Sequence, residues 1–254
     1  MMIKRKHLLF LTSLAFVLFE GWMFYLIHIS NVDIAFNRYY DCIIAAAIFA
    51  LSVPIIRLIT KKEDSESVFK ILFGAKGGNL LRIAMLFTLG ADYFLVGAEE
   101  ENKVAGVTVF LGTQLFIFLH IYFNDESKKW RVYNTLFRLI ITVGAVITAY
   151  AVLGDEVDYL ATIAVIYYAN LISNAIFAHR VGRGGFMLTV GLILFALCDI
   201  NVGILALDNI YGGNFPEGSL LYILRNTEVD LMWLFYIPSQ TLIPLTLVFY
   251  PKSK

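Results

Sequence analysis

Runs of about 20 apolar residues, the length that crosses roughly 30 Å of hydrocarbon at 1.5 Å per residue, recur eight times along this chain. They fall near 8–28, 40–60, 80–98, 104–123, 133–153, 158–178, 186–207 and 231–250. Inside lipid every backbone N–H and C=O must find its partner within the protein, and a helix meets that demand within a single run. The expectation is an all-α protein: one polytopic membrane bundle of eight transmembrane helices over residues 1–254. Composition agrees, with 59% hydrophobic and only 16% charged residues.

The first run follows Lys4, Arg5 and Lys6 as a signal peptide would, but it lacks a small-residue cleavage site, so a retained helix is expected. Cys42 and Cys198 fall in or beside spans and form neither a metal nor a disulfide pattern. The formal net charge is zero, which argues against a nucleic-acid partner.

The position of the charges is more informative than their sum. The N-terminus, the 61–79, 124–132 and 179–185 loops and the C-terminal PKSK, with their flanking helix ends, hold 17 of the 20 Lys and Arg. The alternate connections hold Arg38, Lys103 and Arg225, and carry instead Glu99-Glu100-Glu101 and Asp155-Glu156 with Asp158. By the positive-inside rule both termini are cytosolic, which requires an even number of spans. No connection is long enough for a soluble domain. FKILFGAK, in the 61–79 loop, is short for a span and suits an interfacial helix. No internal repeat is evident.

A carboxylate deep in a bilayer costs several kcal/mol, so it faces the bundle interior and has a partner or a task. Glu20, Asp92 and Asp199 lie within predicted spans. Counted along their helices, Asp92 and Asp199 both sit roughly 15–20 Å from the cytosolic end, at one depth. Near that depth come Gln114, Tyr167, Tyr168, Asn170, Tyr236 and Gln240, with His120 closer to the cytosolic end. Such a set fits a polar cleft. Plainer roles are also open: a membrane aspartate can simply bond a neighbouring helix, His120 can be a packing residue, and Glu20 can pair with Arg38. Arg57 and Arg82 suit anchors or ligands of a lipid phosphate. Gly90, Gly97, Gly106, Gly112, Gly144, Gly191 and Gly203 favour close helix contact.

The polar-bearing segments read together as LGADYFLVG, FLGTQLFIFLHIYF, GLILFALCDINVGI and FYIPSQTLI. Their order and spacing resemble the lysoplasmalogenase (YhhN-like) membrane family. Asp92 and Leu95 match its first aspartate run, Gly112, Phe116 and His120 its histidine run, Gly191, Phe195 and Asp199 its second aspartate run, and Tyr236 and Gln240 its Tyr-x3-Gln ending. The match covers most of the chain from about residue 80. Ala91 stands where the family has glycine, Leu192 where it often has alanine, and Cys198 where it has serine, a stronger hydrogen-bond donor.

The resemblance implies hydrolysis of the sn-1 vinyl ether of a lysoplasmalogen, a membrane lysophospholipid, with no cofactor. Enol-ether hydrolysis needs a general acid and a second group to stabilise the cation and activate water, a division that two carboxyls can make. Asp92 and Asp199 are the expected catalytic pair. His120, Tyr168, Tyr236, Gln240 and Cys198 are the expected supporting or substrate-binding residues. No metal is expected, because His7, His28, His120 and His179 show no ligand spacing. The alternative is a transporter or lipid-binding protein whose aspartate pair binds a proton or a cation. A bacterial plasma membrane is the expected location.

Overall fold

The computed structural model of the protein describes residues 78–96, 103–210, 215–227 and 231–249. The two expected spans at 8–28 and 40–60, the FKILFGAK segment, Glu20, Arg38, Arg57 and both termini lie outside the described residues, as does the orientation inferred from them.

Every described element is helical. The order is α1 (Gly78–Val96), α2 (Lys103–Asn124), α3 (Lys128–Leu153), α4 (Tyr159–Phe177), α5 (Gly185–Ile210), the short α6 (Leu220–Arg225) and α7 (Leu231–Phe249), with 3-10 turns at Gly154–Glu156 and Ala178–Gly184. Four of them, α2 to α5, are long and apolar enough to cross a membrane. The protein is thus a multi-pass membrane protein. The six expected spans from residue 80 onward each coincide with one long helix. The largest difference is α3, which starts at Lys128 rather than near 133. Its first turns, KKWRVY, end the apolar run without ending the helix, since long basic side chains keep their charges in water while the backbone stays helical.

Local chemistry sets several boundaries. Asp158 precedes α4 in extended conformation and accepts the Ala161 N–H at 2.6 Å, satisfying one of the free first-turn donors. Gly154 closes α3 at φ 55°, a conformation that side chains with a Cβ rarely adopt. α7 carries Pro238 and Pro244 inside the helix. Proline removes a backbone N–H and crowds the preceding turn. Hydroxyls of the same stretch fold back onto other carbonyls of the helix: Ser239 donates to the Tyr236 carbonyl at 2.7 Å, and Thr241 to the Ile237 and Pro238 carbonyls at 3.2 and 3.0 Å.

In the packing of the helices, α4 touches α2, α3 and α5, α1 lies on α2, and α7 lies on α5. Small residues permit the closest approaches. A Cβ on Gly184 would fall 2.9 Å from the Thr246 carbonyl oxygen, and one on Gly191 would fall 3.2 Å from the Ile243 nitrogen. The α5–α7 contact therefore depends on glycines. α3 sits at the margin, burying none of its most apolar stretch. The core runs through Leu81, Ile117, Ile121, Leu171, Leu188, Leu192, Phe195 and Ile243, all 0–1% exposed.

Candidate active site

Phe195 on α5, 1% exposed, is the centre of the site. Its ring meets Phe110 of α2, Tyr167 of α4 and Tyr236 of α7 at centroid distances of 5.5, 6.5 and 5.7 Å. Four helices thus converge on one ring. Such edge-to-face contacts fix ring orientation as well as burying area.

Each of the two tyrosines in this cluster holds one aspartate. The Tyr236 hydroxyl donates to Asp92 Oδ1, joining α7 to α1. The Tyr167 hydroxyl donates to Asp199 Oδ2, joining α4 to α5. Asp92 is within Coulombic range of both Asp199 and Tyr167. The carboxyls expected at one depth are therefore both held by tyrosines of one aromatic cluster, each phenol coming from a helix other than the aspartate's own.

Not every polar atom there is committed. Asp92 Oδ2 is buried and has no hydrogen-bond partner. Gln240, one helical turn beyond Tyr236 and so on the same face of α7, donates Nε2 to Ser239 Oγ at 3.2 Å, while its Oε1 is buried without a partner. An unmet buried polar atom is costly unless water or a ligand serves it. Asp92 and Gln240 therefore present polar groups that a bound water or substrate can use.

The remaining expected residues are distributed unevenly. Tyr168 donates to the Ala196 carbonyl at 3.4 Å and is within Coulombic range of Asp199. Cys198 is 3% exposed and joins the apolar core beside Asp199. His120, expected close to the cytosolic end, is one turn from the end of α2 and yet fully buried. Its carbonyl accepts Asn124 Nδ2 at 2.7 Å. Leu95 packs where a Cβ on Gly106 would fall 2.5 Å from its Cγ, and Phe116 stacks on Phe87 at 5.0 Å. These family-motif positions serve the α1–α2 contact.

Gln114 and Asn170, expected near the depth of the aspartates, belong to a polar network whose other members, Arg138 and Asn174, were not expected. Arg138 of α3 donates Nη1 to Asn170 Oδ1 at 2.7 Å and Nη2 to Asn174 Oδ1 at 2.8 Å. Asn174 Nδ2 in turn donates to Gln114 Oε1 at 2.9 Å. The signal was available: Asn134 and Arg138 share one face of α3, and Asn170 and Asn174 share one face of α4, both at i, i+4 spacing. Among the described residues, no group of three or more His, Cys, Asp and Glu is arranged to hold a metal.

No curated relative and no solved structure shows a significant match to the chain. A family model does match, that of the YhhN family, over residues 67–247, a segment that contains both aspartates, both of their tyrosines and Gln240. With the match extending over well more than half of its length, the chain belongs to the YhhN family.

Proposed function

We propose that this protein is a membrane hydrolase that cleaves the sn-1 vinyl ether of lysoplasmalogens, releasing a fatty aldehyde and a glycerophospho-alcohol. The observation that carries the reading is the pair of buried carboxyls, Asp92 and Asp199, each held by a tyrosine hydroxyl around Phe195. The family resemblance supplies the substrate class, and the site supplies groups suited to it.

In this mechanism the neutral member of the pair protonates the β-carbon of the enol ether. The C=C electron pair forms the new C–H bond, and positive charge develops on the ether carbon and oxygen. The ionised member stabilises that oxocarbenium ion and takes a proton from the water that adds to it. The hemiacetal then collapses: its hydroxyl returns a proton to the first carboxyl as the C=O bond forms, the C–O bond to glycerol breaks, the glycerol oxygen takes the proton held by the second carboxyl, and the aldehyde departs. One water is consumed and the carboxyls end with the protons they began with. Two buried carboxyls suit this division when one is neutral and the other ionised, since they then supply one acid and one base. Gln240 Oε1, buried without a partner, would accept a hydrogen bond from the water. Tyr236 and Tyr167 fix the carboxyls.

The reading carries eight spans with both termini cytosolic, in a bacterial plasma membrane. An assay of purified protein against alkenyl, alkyl and acyl lysolipids of one headgroup tests it. Selective aldehyde release from the alkenyl lipid is expected. Acyl cleavage would make the protein an ordinary lysophospholipase, and proton-coupled uptake into proteoliposomes without aldehyde would make it a transporter.

A further inference from the structure

Arg138 is a cation 9% exposed, within a helix long and apolar enough to span a membrane. A buried guanidinium normally takes an anionic partner, because neutral dipoles solvate the charge without neutralising it. Here its hydrogen-bond acceptors are all neutral. Nη1 meets the Asn170 carbonyl at 3.2 Å and Asn170 Oδ1 at 2.7 Å, and Nη2 meets Asn134 Oδ1 at 3.4 Å and Asn174 Oδ1 at 2.8 Å. The guanidinium lies over the Phe118 ring at 4.3 Å. No carboxylate bonds it among the described residues, and its Nε is buried without an acceptor. Elsewhere the chain pairs arginine with a carboxylate: Arg180 meets Asp125 at 3.0 Å.

A second uncommitted donor lies across Asn174. Gln114, fully buried, accepts Asn174 Nδ2 through Oε1 and leaves its own Nε2 without a partner. The hydroxyl of Thr142, one turn along the same face of α3 from Arg138, is also buried and unbonded. Two donors without acceptors, one of them charged, thus belong to residues bonded to the asparagine row, and a third lies one turn along α3 from Arg138. That is the complement of an anion rich in oxygen.

The location decides which anion. Asn170 and Asn174 lie one and two turns along α4 from Tyr167, roughly 5 and 10 Å by helical rise, and Tyr167 holds Asp199. The one-turn offset, at Asn170, is one that the three-carbon glycerol backbone of a lysophospholipid can span between its sn-1 oxygen and its phosphate, and Asn170 shares the Arg138 guanidinium with Asn174. We infer that Arg138 and Gln114 form a receptor for the phosphodiester of a lysophospholipid whose sn-1 linkage lies at the aspartate pair. This rests on the lysoplasmalogen reading for the position of the linkage. It assigns headgroup binding to a span interior rather than to Arg57 or Arg82.

Binding of an uncleavable ligand tests the assignment. Full-length protein in a neutral detergent is titrated with a 1-O-alkyl lysophosphatidylcholine and with the 1-O-alkylglycerol of equal chain length, which lacks the phosphate. The wild type is expected to bind the phospholipid at least about tenfold more tightly, and Arg138→Gln to remove that preference while alkylglycerol binding stays within about twofold. Gln114→Glu keeps the oxygen that serves Asn174 and replaces the donor with a repelling charge. It is expected to weaken the phospholipid alone, which provides the test if Arg138→Gln does not fold. Equal binding of the two lipids by the wild type overturns the inference, as does phospholipid binding unchanged in Gln114→Glu and in any Arg138→Gln that folds. Inorganic phosphate binding as tightly as the lipid also overturns it, assigning the site to the free anion. The ligand is not a substrate, so the outcome is separate from the chemistry. Phosphate-dependent binding without aldehyde release from an alkenyl lipid keeps the receptor and removes the hydrolase reading. Aldehyde release with an unchanged KM in Arg138→Gln does the reverse.

Discussion

Tyr236 of α7 donates its hydroxyl to Asp92 of α1, bridging two helices that otherwise meet only sparingly. Tyr167 repeats the arrangement for Asp199 across α4 and α5. The carboxyls are thus positioned by side chains on helices other than their own, and the site forms only when the bundle does.

Tyr167→Phe and Tyr236→Phe each remove one phenol while keeping the ring that packs on Phe195. Loss of a hydrogen bond to a buried carboxyl is expected to cost about 1–3 kcal/mol, or roughly tenfold or more in aldehyde release. Tyr168→Phe, whose hydroxyl meets only a backbone carbonyl at 3.4 Å, is expected to change the rate by less than about threefold. Rates for the three variants with one alkenyl lysolipid check the distinction. Equal losses in all three would contradict it.

Gly184→Ala brings a methyl group within 2.9 Å of the Thr246 carbonyl oxygen and 2.7 Å of its Cγ2. Backbone cannot rotate away as a side chain can, so α7 must shift against α5. A loss of about 1–3 kcal/mol is expected, read as a lower unfolding temperature in detergent. An unchanged temperature would show that the contact is looser than described.

Outside the spans, Asp125 ties the loop before α3 to the turn after α4. Burial pushes its carboxyl up, but the Arg180 hydrogen bond, the Ser127 N–H and the charges of Arg180 and Arg131 outweigh that and hold it below its usual value. A group held low in the folded state contributes stability that is present above its unfolded pKa of about 3.9 and is lost as pH falls through the folded value. Asp125→Asn is expected to lower stability at neutral pH and to flatten the acid limb of the unfolding temperature against pH. A variant with the wild-type acid limb would remove Asp125 from it.

The long helices from residue 80 onward were legible in the sequence because hydrocarbon thickness fixes their length and backbone satisfaction fixes their type. The two aspartates were legible because a carboxylate is conspicuous against LGADYFLVG and LILFALCDINV. Their partners were harder to read. Tyr167 and Tyr168 are adjacent, and which one faces Asp199 depends on the rotation of α4 against α5, a packing outcome that composition does not encode. Arg138 was hidden for another reason. It falls near the start of an apolar run, where arginine ordinarily extends to the headgroups, and only the facing asparagines of α4 reveal that it turns inward.

The most direct measurement is aldehyde release from an alkenyl lysophospholipid by purified wild-type, Asp92→Asn and Asp199→Asn proteins, each shown to be folded by its unfolding temperature. The account predicts release by the wild type and a loss of about a hundredfold or more in each variant, since general acid–base groups contribute on that scale. Full activity in either variant, or no aldehyde from the wild type, would contradict it.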